Sequence, residues 1–429
     1  MTETGKHSKT IFQALNWNLG ATVCVAAAGL GIQLLLASWN SAYLGVFNQL
    51  YAIFIISSQV AVFGIHRSVE QRYASLFLKP GQRPDILLSA MFAVVLISAS
   101  VGALIASSSS LIMKMLDSKL VATGVLPVGL ALIPFALNKT LMCWLNGLRK
   151  MRLFAIMTAL RVIFLLIAIS ICVYIANPKL LGYCFLASET ATLLVNLCVP
   201  GIFGKINFKR VKLNLKRHFS FGARCMWNGM VTELNTRVDV LMLGIFMTDS
   251  DVGIYSFALM FSDGIMSVYQ ACRSVVNPYF ARAFKLNSSS DLSHVIRKSY
   301  KIGWAVGISA FACAFGAYFI IPNIIDKSVY VNYWYLMAML CGTMALIGGF
   351  MVCNQMFIAA NRPGSQFFVT IGCVIVNIIA NATFIPMFGL AGAAIGTSIA
   401  LLSSVVMMML VFKRIFKNKF TSLPIPFNS

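Results

Sequence analysis

Acidic side chains are scarce in this chain: 12 Asp and Glu stand against 34 Lys and Arg, and charged residues make up only 11 % of 429. A soluble domain is about a quarter charged and about half apolar, whereas 59 % of this sequence is hydrophobic. That balance excludes an ordinary soluble globule, and no stretch resembles a separate soluble domain. Histidine is as rare. His7, His66, His218 and His294 are scattered, with no Cys or His partner at metal-ligand spacing. There is no C-x-x-C, no H-E-x-x-H, no Walker A loop and no G-x-S-x-G. Dithiol redox chemistry, zinc hydrolysis, P-loop ATP hydrolysis and a serine-hydrolase elbow therefore all lack their residues. The 11 cysteines lie almost wholly in hydrophobic stretches and read as small apolar side chains. No cofactor and no metal is expected.

What the chain has is hydrophobic runs. Twelve segments are apolar enough to cross a bilayer, which takes about 20 residues each: 17–39, 43–65, 86–108, 121–146, 153–176, 180–203, 222–247, 252–281, 302–324, 331–359, 365–386 and 389–412. The first is too long for a signal-peptide core and no A-x-A site follows it, so an uncleaved first span is expected. The net charge of +22 would point to nucleic acid in a soluble protein, but no aromatic-basic groove or nucleic-acid motif accompanies it. Its distribution points to topology instead. Loops 66–85, 147–152, 204–224 and 282–301 carry most of the Lys and Arg, while the opposite side holds only Lys114, Lys119, Lys179 and Lys327. The positive-inside rule then puts both termini in the cytoplasm.

The loops on the outer side are short, the longest running from Ser109 to Leu120, which leaves no room for an external catalytic domain. The longest inner loop, Gly204–Ser220, interleaves Ile206, Phe208, Val211, Leu213 and Leu215 with Lys209, Arg210, Lys212, Lys216 and Arg217. It falls midway along the chain, as a linker would, and its pattern also fits a segment lying on an anionic leaflet. The halves repeat weakly. Leu44-Gly45-Val46-Phe47 opens the second segment and Val252-Gly253-Ile254-Tyr255 the eighth. Leu145-Asn146-Gly147-Leu148-Arg149 follows the fourth and Ala359-Ala360-Asn361-Arg362 the tenth. Six segments separate each pair, so a parallel repeat is expected. The fold class is an all-α polytopic membrane protein of about 12 transmembrane helices in two six-helix lobes. Its parts are an N-terminal lobe 1–203, a basic cytoplasmic linker 204–220, a C-terminal lobe 221–412 and a cytoplasmic tail 413–429.

Eight charges interrupt the spans: Lys139, Arg161, Arg237 and Arg273, with Glu189, Glu233, Asp239 and Asp263. Each costs about 2.5–3.5 kcal/mol near the bilayer centre unless it faces protein or water, so such residues mark transport pathways first. In segment seven Asn228, Thr232, Asn235 and Asp239 fall at i, i+4, i+7 and i+11, one helical stripe. Beside it Glu233 and Arg237 stand at i, i+4 in the order that favours an ion pair, which leaves packing and function both open. Segment eight repeats the stripe with Asp263, Ser267, Gln270, Ser274 and Asn277, and Arg273 adjoins it. Lys139 is close enough to the inner end to snorkel. Arg161 lies about 12 Å into segment five, and Glu189 near the middle of segment six. Either fits one half of a buried pair. His66, Arg67 and Glu70 mark the inner end of segment two. Arginine matches phosphate through its planar fork, so Arg161, Arg237 and Arg273 are candidate contacts for an anionic headgroup. Glu189, Asp239, Asp263 and Glu233 are candidate ion-coupling or cavity groups, and Asn228, Thr232, Asn235 and Gln270 candidate polar lining.

The second half resembles a known family. Arg237-x-Asp239-x-x-Met242-Leu243-Gly244, Val252-Gly253-Ile254-Tyr255-Ser256-x-Ala258 and Asn277-Pro278 are similar to motifs of polysaccharide exporters. So are Ala360-Asn361-Arg362-Pro363, Asn377 and Ile385-Pro386-x-Phe388-Gly389-Leu390-x-Gly392-Ala393-Ala394. The likeness is good over roughly 220–412 and looser before it. It is to the polysaccharide branch of the multidrug/oligosaccharidyl-lipid/polysaccharide (MOP) exporter superfamily, the Wzx-like O-antigen flippases. The resemblance implies two lobes around a central cationic cavity and alternating access. It implies undecaprenyl-pyrophosphate-linked oligosaccharide as substrate, protons or sodium ions as coupling partners, and an antiporter in the bacterial inner membrane serving lipopolysaccharide biosynthesis. A polysaccharide polymerase and a chain-length regulator are implied protein partners. A lipid II flippase or drug/cation exporter of the same superfamily is the alternative, and a membrane O-antigen polymerase or ligase the alternative of a different class.

Overall fold

The computed structural model describes residues 3–75, 83–202, 208–286, 288–325, 327–354 and 356–416. Among them the chain is helical, with two short 3-10 turns and no strand. The helices are α1 (Glu3–Trp39), α2 (Ser41–Val62), α3 (Ile65–Ser75), α4 (Arg83–Ser107), α5 (Ser109–Leu116), α6 (Lys119–Gly147), α7 (Met151–Tyr174) and α8 (Leu181–Leu197). They continue as α9 (Phe208–Phe246), α10 (Asp249–Leu286), α11 (Ser289–Ile324), α12 (Trp334–Leu346), α13 (Gly348–Cys353), α14 (Met356–Ala359), α15 (Pro363–Phe388) and α16 (Leu390–Phe416). Eleven helical stretches among the described residues are long and apolar enough to cross a membrane. The twelfth expected span, 222–247, lies in α9, where Arg224, Glu233, Arg237 and Asp239 lower its hydropathy.

Two elements differ from the sequence reading. The expected span 331–359 is not one helix but α12, α13 and α14 in succession, first interrupted at Ile347. Two carbonyls near that break find side-chain donors: Tyr269 Oη–H donates to Met344 O at 3.0 Å and Trp304 Nε1–H to Leu346 O at 3.1 Å. Irregular backbone in a membrane persists only where such partners or water replace the helical bonds. The second difference concerns the basic segment 204–220. Residues 204–207 lie outside the described residues, and from Phe208 the segment is the first third of α9. At 39 residues, α9 is about 58 Å long, so this stretch continues the spanning helix rather than forming a separate surface segment. The tail beyond Phe416 lies outside the described residues.

The chain divides into two compact units, Met1–Glu233 and Leu234–Ser429, with the division inside α9. In the first, α6 is central and packs against α2, α3, α4 and α8. Lipid tails are as apolar as Leu, so membrane helices associate through close packing at small residues. Gly102 of α4 and Gly129 of α6 meet backbone to backbone; a Cβ on Gly129 would stand 2.6 Å from Gly102 O. The α2–α3 break follows from consecutive left-handed residues, Phe63 (φ 49°) and Gly64 (φ 66°). A side chain at Gly64 would also meet Gly222 O at 2.6 Å. In the second unit α10 packs against α11, α12, α13 and α14, and α15 against α16. The α15–α16 hairpin turns on Gly389 (φ 58°, ψ −130°), a conformation glycine adopts without Cβ strain.

Candidate functional site

A buried ion pair links two helices of the first unit. Arg161 of α7 donates through Nε–H to Glu189 Oε1 of α8 at 2.5 Å. Asn138 of α6 donates to both Glu189 Oε2 (3.0 Å) and the Glu189 carbonyl (2.8 Å), and Asn196 Nδ2 donates to Asn138 Oδ1 at 3.0 Å. The Arg161 guanidinium also lies over the Phe135 ring at 4.5 Å. Glu189 is only 3 % exposed. A buried carboxylate held by a guanidinium and an amide has its hydrogen-bonding capacity largely filled, which makes the pair a clamp across α6, α7 and α8. Asn138 and Asn196 were not singled out from sequence. The signal was there: Glu189, Thr192 and Asn196 stand at i, i+3 and i+7 on one face of α8.

The second unit is looser. Arg237 Nη2 of α9 approaches Asp263 Oδ2 of α10 at 3.2 Å, with side-chain exposures of 19 % and 46 %. Asp239, two residues on, is 3 % exposed and has no cation at ion-pair distance among the described residues. Its Oδ2 accepts from Tyr255 Oη at 2.7 Å and from Thr397 Oγ1 at 3.4 Å, and its Oδ1 from the Val240 N–H at 2.9 Å. Nearby in sequence to Thr397, Gly396 packs against the Asn381 side chain. Asn381 Nδ2 donates to Asn377 Oδ1 at 2.7 Å, while its own Oδ1 is buried with no partner. Tyr255, Thr397 and Asn381 are the neighbours that sequence reasoning did not assign. They come from three helices and share no spacing.

Arg273 does not snorkel. It is 7 % exposed, its Nη2 reaches only Met266 Sδ at 3.4 Å, and its Nε–H has no partner. No carboxylate pairs with it among the described residues, so burying this guanidinium is costly. The residues around it on α10 divide by face: Ser267, Gln270 and Ser274 are exposed and Asp263 half-exposed, whereas Ile265, Tyr269 and Val276 are buried. On α9, Asn228 and Thr232 are exposed and Asn235 is half-buried with an unsatisfied Oδ1. Glu233, the last residue of the first unit, is half-buried.

Outside the spans, two histidines are held neutral. Burial, helped by Lys139 and Arg67, pushes His66 down to about 3. Beside it Glu70 accepts from Arg67 Nη1 (3.0 Å) and Asn146 Nδ2 (2.7 Å), and Lys139 is half-buried in α6. His218 is fully buried, and burial followed by the Arg72 charge lowers it to about 4. Its Nε2 lies 3.2 Å from the Ile86 carbonyl and 3.5 Å from Arg72 Nη1, and its Nδ1 2.9 Å from Ser68 Oγ. Arg72 Nη2 donates to Asn214 Oδ1 at 2.7 Å. Asn214 and His218, one turn apart, thus dock the start of α9 on α3 and α4 and leave Lys212, Lys216 and Arg217 exposed.

The described residues form a helical membrane protein with charged and polar side chains built into its spans. Solved structures share this fold. The chain matches an inward-facing multidrug resistance MATE family transporter of the MOP superfamily with a TM-score of 0.75 at 13 % identity, covering 95 % of this chain and 99 % of that one. It matches the lipid II flippase MurJ in an inward closed conformation with a TM-score of 0.75 at 16 % identity, covering 93 % and 87 %. Among curated proteins, "Probable low-salt glycan biosynthesis flippase Agl15" of Haloferax volcanii is 25 % identical over 381 residues, 86 % of this chain and 76 % of that protein. The polysaccharide biosynthesis protein family model matches residues 17–284. The chain belongs to that family. It is a multi-pass membrane protein.

Proposed function

We propose that this protein is a flippase that moves polyprenyl-diphosphate-linked oligosaccharide, with undecaprenyl as carrier and an O-antigen or related repeat unit as cargo. It sits in a bacterial inner membrane with both termini cytoplasmic and works by alternating access. The observation that carries the reading is Arg273: a buried guanidinium with an unused donor, on a helix whose exposed positions include Ser267, Gln270 and Ser274, with Asp263 half-exposed. Polar side chains exposed at membrane depth face water or polar cargo. A diphosphate supplies the acidic oxygens that an unsatisfied guanidinium requires. Arg237, paired with Asp263 at 3.2 Å, is the second contact. Arg161 is already occupied by Glu189.

In this reading Asp239 is the coupling group. It is the one buried carboxylate of the candidate set whose partners are all uncharged, so it can exchange a proton or a sodium ion without breaking an ion pair. Reconstitution into proteoliposomes with a short-chain polyprenyl-diphosphate oligosaccharide tests the proposal. Translocation by wild type, abolished in Arg273→Met that folds normally, supports it. Translocation at the wild-type rate by Arg273→Met, or movement of a cationic drug and not the diphosphate, overturns it. Imposed proton and sodium gradients, applied separately, identify the coupling ion, and loss of that dependence in Asp239→Asn supports the assigned role.

A further inference from the structure

Two membrane ion pairs among the described residues are built differently, and the difference has a functional meaning. Glu189 is enclosed and takes two hydrogen bonds from Asn138, one on its carboxylate and one on its backbone carbonyl, besides holding Arg161. Losing Arg161 would leave it charged and buried. Asp263 has Arg237 as the only partner of its carboxylate among the described residues, at 3.2 Å, and nearly half of its side chain is open. If Arg237 turns to another anion, Asp263 is solvated by water at little cost. The pair therefore compensates the arginine's charge while leaving it able to exchange.

We propose that Asp263 is an internal competitor for the anionic headgroup at Arg237, so that its carboxylate and the substrate diphosphate occupy the same guanidinium in turn. This rests on the flippase reading and assigns Asp263 a role apart from ion coupling. An arginine pre-paired at one face gives up that bond before it binds phosphate, which weakens loading. Re-forming the bond then displaces the diphosphate at the release side. A transporter needs such a term, because a headgroup held by unopposed arginines leaves slowly. The pair sits on adjacent helices, α9 and α10, so the exchange needs only side-chain rotation.

The proposal is tested by a double-mutant cycle on the full-length protein in nanodiscs, with farnesyl diphosphate as probe and equilibrium affinity and off-rate as readouts. A half-exposed ion pair is worth up to about 1 kcal/mol, or on the order of 5-fold in affinity. Asp263→Asn is expected to bind the probe on the order of 5-fold more tightly than wild type, chiefly through a slower off-rate. In the Arg237→Gln background the same change is expected to have no effect. Equal affinity of wild type and Asp263→Asn overturns the proposal. So does an equal gain in the Arg237→Gln background, which would mark a general field effect of the lost negative charge. Failure of the folded wild type to bind any diphosphate refutes the flippase reading itself and this inference with it, whereas binding without the Asn effect refutes the inference alone.

Discussion

Replacing Glu189 by Ala is the sharpest test of which membrane charges hold the protein together. The substitution removes the acceptor of Arg161 Nε–H and of Asn138 Nδ2–H in a site where Glu189 is 3 % exposed. Deleting one member of a buried pair costs about 3–5 kcal/mol because its partner stays charged. Arg161 keeps about a quarter of its side chain accessible and its place over Phe135, so the lower end, about 3 kcal/mol, is expected. For a unit of a couple of hundred residues that corresponds to a fall in Tm of roughly 6–12 °C. The assay is built into the chain. Cys143, Cys172, Cys184, Cys341, Cys353 and Cys373 are buried free thiols, so a thiol-reactive dye reports unfolding in detergent. The double variant Arg161→Met, Glu189→Leu is expected to recover most of the loss, since a buried pair replaced by apolar groups of similar volume is about neutral. A Glu189→Ala protein with wild-type Tm and no transport would refute the reasoning and make Glu189 a functional carboxylate.

Other outcomes follow from the same geometry. Arg273→Met removes an unpaired buried cation and is expected to leave Tm unchanged or raise it by a few degrees while transport is lost; a fall in Tm would mean Arg273 is structural. His218 has its pKa lowered from 6.5 to about 4, so the folded state resists the proton that the unfolded chain accepts. Its contribution is complete above about pH 6.5, is lost as pH falls towards 4, and amounts to on the order of 3 kcal/mol. Wild-type Tm should fall over that window and His218→Gln should flatten the profile; parallel profiles would count against the assignment. Gly64→Ala places a Cβ 2.6 Å from Gly222 O at a left-handed backbone position, and a loss of about 1–3 kcal/mol is expected in the same dye assay.

Much of the architecture was legible because a membrane imposes a coarse rule. Long apolar runs become helices, and all twelve expected segments correspond to helical stretches. The interruption after Leu346 was not legible, because Gly348-Gly349 in an apolar run reads as ordinary small-residue packing. Only the donors Tyr269 and Trp304, brought in from α10 and α11, reveal where the backbone is supported. The charges were legible as a set but not as pairs. Depth and helix face placed Arg161 and Arg273 alike, yet one is clamped by Glu189 and the other has no carboxylate partner among the described residues. That distinction depends on which helices are neighbours, and helical spacing within one span carries no information about it. Asp239 was found as part of a stripe, while Tyr255 and Thr397 come from other helices and needed the fold.

The central claim is that an unpaired buried arginine receives the diphosphate headgroup. Translocation of a polyprenyl-diphosphate oligosaccharide, measured in proteoliposomes for wild type and for folded Arg273→Met side by side, tests it most directly. The account predicts transport by the first and none by the second, and equal rates in the two would contradict it.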